Sequence, residues 1–104
     1  MATRLNNLAL LLQATTRLAE AEPLLRRALA IDETSYGPDH PDVAIDLNNL
    51  AGLLWTTNRL GEAEPVMRRA LAIFETSLGP EHPSTVTVRN NLVVLEAALG
   101  RGGA

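Results

Sequence analysis

Shifted against itself by 42 positions, the chain matches at about two-thirds of one full period, and this self-similarity limits the fold more than any single residue does. LNNLALLLQATTRLAEAEPLLRRALAIDETSYGPDHP, from Leu5, lies over LNNLAGLLWTTNRLGEAEPVMRRALAIFETSLGPEHP, from Leu47. A third copy starts at Arg89 as RNNLVVLEAALGR and stops at Arg101. The 104 residues therefore hold two full units and about one third of another.

Within each unit the apolar residues keep a helical period. Leu5, Leu8, Ala9 and Leu12 fall at i, i+3, i+4 and i+7, and Leu18, Ala21, Leu25, Ala28 and Leu29 form a second stripe. QATTR and its copy WTTNR lie between the stripes, where β-branched and polar residues weaken a helix enough to admit a tight turn. Each unit is expected to be a helical hairpin. Gly37 and Gly79 suit the left-handed residue that closes a helix, and Pro38 and Pro80 prevent its continuation. Pro41 and Pro83 suit the first turn of the next helix, followed by Asp42 or Ser84 at its positive end. Helices are expected at about 2 to 15, 18 to 34, 41 to 57, 60 to 76 and 83 to 98. On these spans Pro23 and Pro65 come at the end of a first turn, where proline costs little.

Composition agrees with helices packed closely on one another. Leu, Ala and Val carry most of the 46% apolar share, and Tyr36, Trp55 and Phe74 are the whole aromatic set. The net charge is −3 with both signs interspersed, so there is no basic footprint for a nucleic acid. The absence of cysteine removes disulfides and thiolate chemistry and fits a cytoplasmic setting. Apolar runs stop far short of the roughly 20 residues that a membrane span needs, and MATRLNNLAL does not read as a secretory leader.

A 42-residue helix–turn–helix unit reading LNNLA…L(A/G)EAEP…RRALAI…GP(D/E)HP resembles the tetratricopeptide repeat in the long-loop variant of kinesin light chains. The small residues Ala9, Ala21 and Ala28, copied at Ala51, Ala63 and Ala70, belong to that pattern. The large aromatics often found in the first helix are replaced by Leu5 and Leu12, and the third unit has no second helix. The resemblance implies an all-α, right-handed α-solenoid of antiparallel helix pairs, with about two and a half repeats, five helices, and the first helices lining an inner face. It is expected to form one domain over residues 1–104: repeat one at 1–40, repeat two at 41–82, a partial repeat or capping helix at 83–100, and a tail at 101–104.

On this frame the stripe opposite the packed leucines holds Thr3, Asn6, Leu10 and Gln13. Its copies are Ile45, Asn48, Gly52 and Trp55, and then Thr87, Asn90, Val94 and Ala97. The candidate peptide-binding residues are Asn6, Leu10, Gln13, Asn48, Gly52, Trp55, Asn90 and Val94. Asn6, Asn48 and Asn90 form a ladder of amides able to match an extended backbone, as asparagines at that position do in the family that the repeat resembles. The other reading is a tolerated residue copied by duplication. Trp55 beside Gly52 has the form of an aromatic anchor next to a hollow, or else packs on a neighbouring turn. Asn7, Asn49 and Asn91 are assigned a packing or hydrogen-bonding role. None of the groove positions is basic, which disfavours capture of a carboxylate terminus and favours an extended peptide with apolar side chains.

The remaining polar residues have structural readings. Glu22 precedes Arg26 by four and Glu64 precedes Arg68 by four, so Arg26, Arg27, Arg68 and Arg69 are read as a solvated outer face with helical ion pairs. His40 and His82 sit one per joint. A shared zinc would need them within about 4 Å, whereas successive joints are about 10 Å or more apart, so loop-ordering hydrogen bonds are expected instead. Arg89 and Glu96 replace Leu47 and Leu54 and read as a terminal cap; GRGGA reads as a natural end or frayed tail, and the start as cut from a longer array.

No catalytic set, cofactor loop or metal cluster is visible. The chain is expected to be a non-enzymatic protein-protein interaction module that binds an extended peptide or partner protein in its concave groove, without cofactors, nucleic acid or membrane. The alternative is a structural or self-assembly segment that forms a homo-oligomer, or swaps helices, through unpaired solenoid ends.

Overall fold

The structure, a computed structural model, describes the backbone of residues 18–103 and the side chains of residues 20–100. The chain runs through α1 (Leu18–Tyr36), α2 (Pro41–Thr56), α3 (Leu60–Leu78) and α4 (Pro83–Gly103). Five helices were expected and four lie among the described residues, since the helix expected at 2 to 15 falls outside them. Each helix packs on the next in sequence, so α2 sits between α1 and α3, and α3 between α2 and α4.

All four helix starts are where the prolines and turn residues put them, whereas the ends differ. α1 and α3 run on to Tyr36 and Leu78, the residues immediately before Gly37 and Gly79, because Thr and Ser lower helix propensity without breaking a helix already formed. Gly37 and Gly79 both have positive φ, 89° and 92°. The ψ of 158° at Gly79 places it in the glycine-only extended region rather than the left-handed helical well that was expected. Pro23 and Pro65 are the sixth residues of their helices, beyond the first turn, and both rings are exposed while the helix continues. α4 continues through Gly103, so the expected tail is helical over residues 101–103.

His40 is the N-cap of α2: its Nδ1 accepts from the Asp42 backbone N–H at 3.0 Å, with Pro41 in the first turn. His82 repeats the bond at 3.1 Å from the Ser84 N–H. Each imidazole thereby uses Nδ1 as an acceptor that caps the start of the following helix. Tyr36 stacks on the His40 ring with centroids 4.5 Å apart.

The hairpin turn between α2 and α3 is Thr57–Asn58–Arg59. Asn58 takes the left-handed conformation, φ 62°, that asparagine tolerates better than most residues. Arg59 then caps α3 by position but without a side-chain cap bond. A cation at the positive end of a helix is unfavourable, and it is offset by two carboxylates, Glu62 on α3 and Glu22 on α1. The Arg59 hydrogen bond holds the Glu22 carboxyl below the usual carboxylate range, with Arg26 assisting at 3.0 Å and partial burial opposing. Glu62 is lowered in the same way, chiefly by Arg59, whose own guanidinium is raised by both partners.

The core runs continuously through the described helices, from Ala21 and Leu25 through Leu50, Leu53 and Leu54 to Met67, Phe74, Val88 and Leu95. Ala21, Ala28, Ala51, Ala63 and Ala70 are fully buried, and their small size lets neighbouring helix backbones approach closely. One core position is chemically awkward. Thr85 is fully buried with no partner for its hydroxyl among the described residues, at the position where the previous unit has the fully buried Val43. Thr85→Val removes an orphaned hydroxyl at nearly constant shape and is expected to stabilise the fold by about 1 kcal/mol. A rise in urea midpoint at unchanged slope would show this, and a fall would mean that the hydroxyl has a partner.

Candidate functional site

Between α2 and α4 lie two adjoining hollows that meet at Asn48. The first, about 270 Å³, is lined by Ile45 and Asn48 from α2, Phe74 from α3, and Pro83, Ser84, Thr87 and Val88 from α4. The second, about 410 Å³, is lined by Asn48, Gly52, Trp55 and Thr56 from α2, Met67 from α3, and Asn91 from α4. The α3 side chains Phe74 and Met67 are almost fully buried and form the floor, so the walls are first helices of successive units.

Sequence periodicity accounts for one wall. Ile45, Asn48, Gly52 and Trp55 share a stripe of α2, and all four border the hollows. Beyond its chain neighbours and the backbone of its own helix, no atom lies within 4 Å of where a Cβ on Gly52 would sit, which is the open space expected beside the Trp55 indole. Trp55 is half-buried, packs partly against the core and borders the hollow.

The opposite wall is differently composed. Asn90 and Val94 line neither hollow and are exposed, Val94 at 56%. Thr87 of the expected stripe does line the first hollow, but Ser84 and Asn91 stand beside it in place of Asn90 and Val94, and Asn91 is the residue given a packing or hydrogen-bonding role from sequence. The cause is geometric. Asn48, Gly52 and Trp55 lie on the side of α2 that borders the hollows, whereas on α4 their period counterparts Asn90 and Val94 border neither, and only Thr87, the counterpart of Ile45, does. The flank of α4 that looks back at α2 is the neighbouring stripe 84, 87, 88, 91, at helical spacing. The two amides that share a hollow are therefore Asn48 and Asn91, not Asn48 and Asn90. Asn6, Leu10 and Gln13 lie outside the described residues.

No lining residue of either hollow is ionisable, and the polar groups are amides and hydroxyls, which can donate and accept without fixing a charge on the ligand. Among the described residues no three of His, Asp and Glu gather as a metal site would require. No described helix is long and apolar enough to cross a membrane.

The family model for the tetratricopeptide repeat matches residues 1–76. The chain belongs to the tetratricopeptide repeat family. It has the 42-residue, kinesin-light-chain-like form of the repeat, and it is an α-solenoid. Tetratricopeptide repeats are generally non-catalytic scaffolds for protein–protein interaction. Among solved structures, the crystal structure of BtubC (BKLC) from P. vanneervenii matches with a TM-score of 0.85 at 27% sequence identity, over 93% of this chain. The match takes in 38% of the BtubC chain, so this tetratricopeptide segment is much the shorter of the two. No curated protein matches the chain.

Proposed function

We propose that this chain is a non-enzymatic protein-binding module that holds an extended segment of a partner along the groove between α2 and α4, inside a right-handed arc. The observation that carries the reading is the meeting of two uncharged hollows at one amide, Asn48. Asn48 would bond the partner's main chain while side chains on either side enter the Phe74 hollow and the Trp55 hollow. Asn91 and Thr87 supply the facing polar groups. The partner is a protein or peptide with apolar side chains flanking an uncharged stretch, and a cytoplasmic setting fits a repeat without cysteine.

The test is the double variant Asn48→Ala with Trp55→Ala. Truncating an anchoring aromatic commonly costs 2 kcal/mol or more, so binding of a partner captured by the unmodified chain is expected to weaken about 30-fold or more. Helical circular dichroism should be unchanged. Undiminished binding by the folded variant rejects the groove. A second reading, a structural segment that joins other repeats end to end, is supported by the hollow on α1 lined by Arg27, Ile31 and Ser35, which no described residue outside α1 lines; under it the double variant assembles as before.

A further inference from the structure

His40 and His82 hold the starts of α2 and α4 in the same way, but the two rings have different surroundings. His82 accepts from the Ser84 N–H at Nδ1, 3.1 Å, and from the Val86 N–H at its carbonyl, 3.0 Å. His40 accepts from the Asp42 N–H at Nδ1 and from both Val43 and Ala44 at its carbonyl. Pro83 and Ser84, the residues that follow His82, are also part of the wall of the 270 Å³ hollow, beside Thr87 and Val88. A single cap bond therefore orders both a helix start and one side of the groove.

That bond needs the lone pair of Nδ1. Protonating the ring puts a donor where the Ser84 N–H requires an acceptor, and places a cation at the positive end of α4. At the first joint the same event is compensated. The Asp42 carboxylate lies 3.9 Å from His40 Nδ1, and the Tyr36 ring is stacked on the imidazole with centroids 4.5 Å apart, so an imidazolium there gains an anion and an aromatic face as it loses the cap. The second joint has Ser84 in place of Asp42 and Leu78 in place of Tyr36. Among the described residues no carboxylate oxygen lies within 4 Å of a His82 nitrogen.

The other charges at the second joint supply no substitute. Glu81 precedes His82 as Asp39 precedes His40, so it does not distinguish the two joints. On α3, Glu75 is paired with Arg89 of α4 at 3.6 Å, and Arg89 also donates to the Pro80 carbonyl at 2.8 Å, which adds a second cation to this joint. On α2, Asp42 is the partner of His40.

We propose that His82 is a proton-sensitive latch on the groove. With Nδ1 unprotonated the ring fixes the Pro83–Ser84 wall of the first hollow; protonation frees that wall, while the His40 joint stays closed. The latch is shut at higher pH and opens as the pH falls, because only the unprotonated ring can cap. Its consequence rests on the groove reading above: a partner segment seated between Phe74 and Ser84 is released on acidification.

The test is nuclear magnetic resonance of the full chain from pH 8 to pH 5, the range in which imidazoles titrate. Hydrogen exchange at the Ser84 amide, corrected for its intrinsic dependence on pH, is expected to accelerate about fivefold or more, the equivalent of one side-chain cap, while the Asp42 amide holds its protection. The methyl signals of Ile45, Thr87 and Val88, which line the hollow, are expected to shift together with the His82 ring signals. His82→Asn caps without titrating and is expected to make both responses flat. The latch is overturned if Ser84 protection does not change with pH, if Asp42 loses as much protection as Ser84, or if His82→Asn keeps the pH response. The hollow is read empty, so a failed latch is distinguishable from a groove that binds nothing.

Discussion

The Leu50→Ala variant is expected to lose about 3 kcal/mol of stability, and a chain of this length has only about 5 to 15 kcal/mol to lose. Leu50 is 1% exposed on α2, the described helix that packs against both α1 and α3. Truncation there removes the transfer energy of three carbons and leaves a cavity whose walls belong to more than one unit. Fully buried Leu25, Leu53 and Leu54 crowd the same core, so the site has little freedom to collapse. Equilibrium urea unfolding at unchanged slope would give the loss directly. A loss below about 1 kcal/mol would mean that the units unfold separately, as stacked repeats can when their interfaces are weak, and that one cooperative core is the wrong description.

How much of this was legible in the sequence depends on whether a feature is local to the chain. The joints were legible because proline, glycine and a capping histidine act on their own backbone: Pro41 and Pro83 opened helices, and Gly37 and Gly79 closed them. One wall of the groove was legible too, because Asn48, Gly52 and Trp55 share one helix and its period. The facing wall was not. A stripe read from one helix does not say which flank of the next helix turns back toward it, and so Asn91 stands where Asn90 was expected. The arginines at the joints were missed for a related reason. Arg69 and Glu33 are 36 positions apart and become neighbours only through stacking, so a reading limited to four-residue spacings could find Glu22 with Arg26 but not Glu33 with Arg69.

Gly79→Ala and Gly61→Ala are expected to move stability in opposite directions, although both add the same methyl group to open space. Apart from the adjoining residues and, for Gly61, the backbone of its own helix, neither glycine has an atom within 4 Å of the position that a Cβ would take, so packing contributes to neither outcome. At Gly79 the backbone has φ 92° and ψ 158°, a conformation that residues with a Cβ essentially do not adopt. The alanine variant must either hold a strained backbone or shift the joint that carries Pro80 and aims its carbonyl at Arg89, at a cost of about 1 to 3 kcal/mol. Gly61 lies in the first turn of α3 with ordinary helical φ, at the position where the preceding unit has Ala19. Alanine there reduces the entropy of the unfolded chain and is expected to stabilise by about 0.4 to 1 kcal/mol. The pair separates backbone conformation from contact, because the substituted atom and its empty surroundings are alike and only the dihedral angles differ. Equal and small shifts in the two urea midpoints would mean that the joint relaxes at no cost, and the glycines would then have to be explained by something other than their φ.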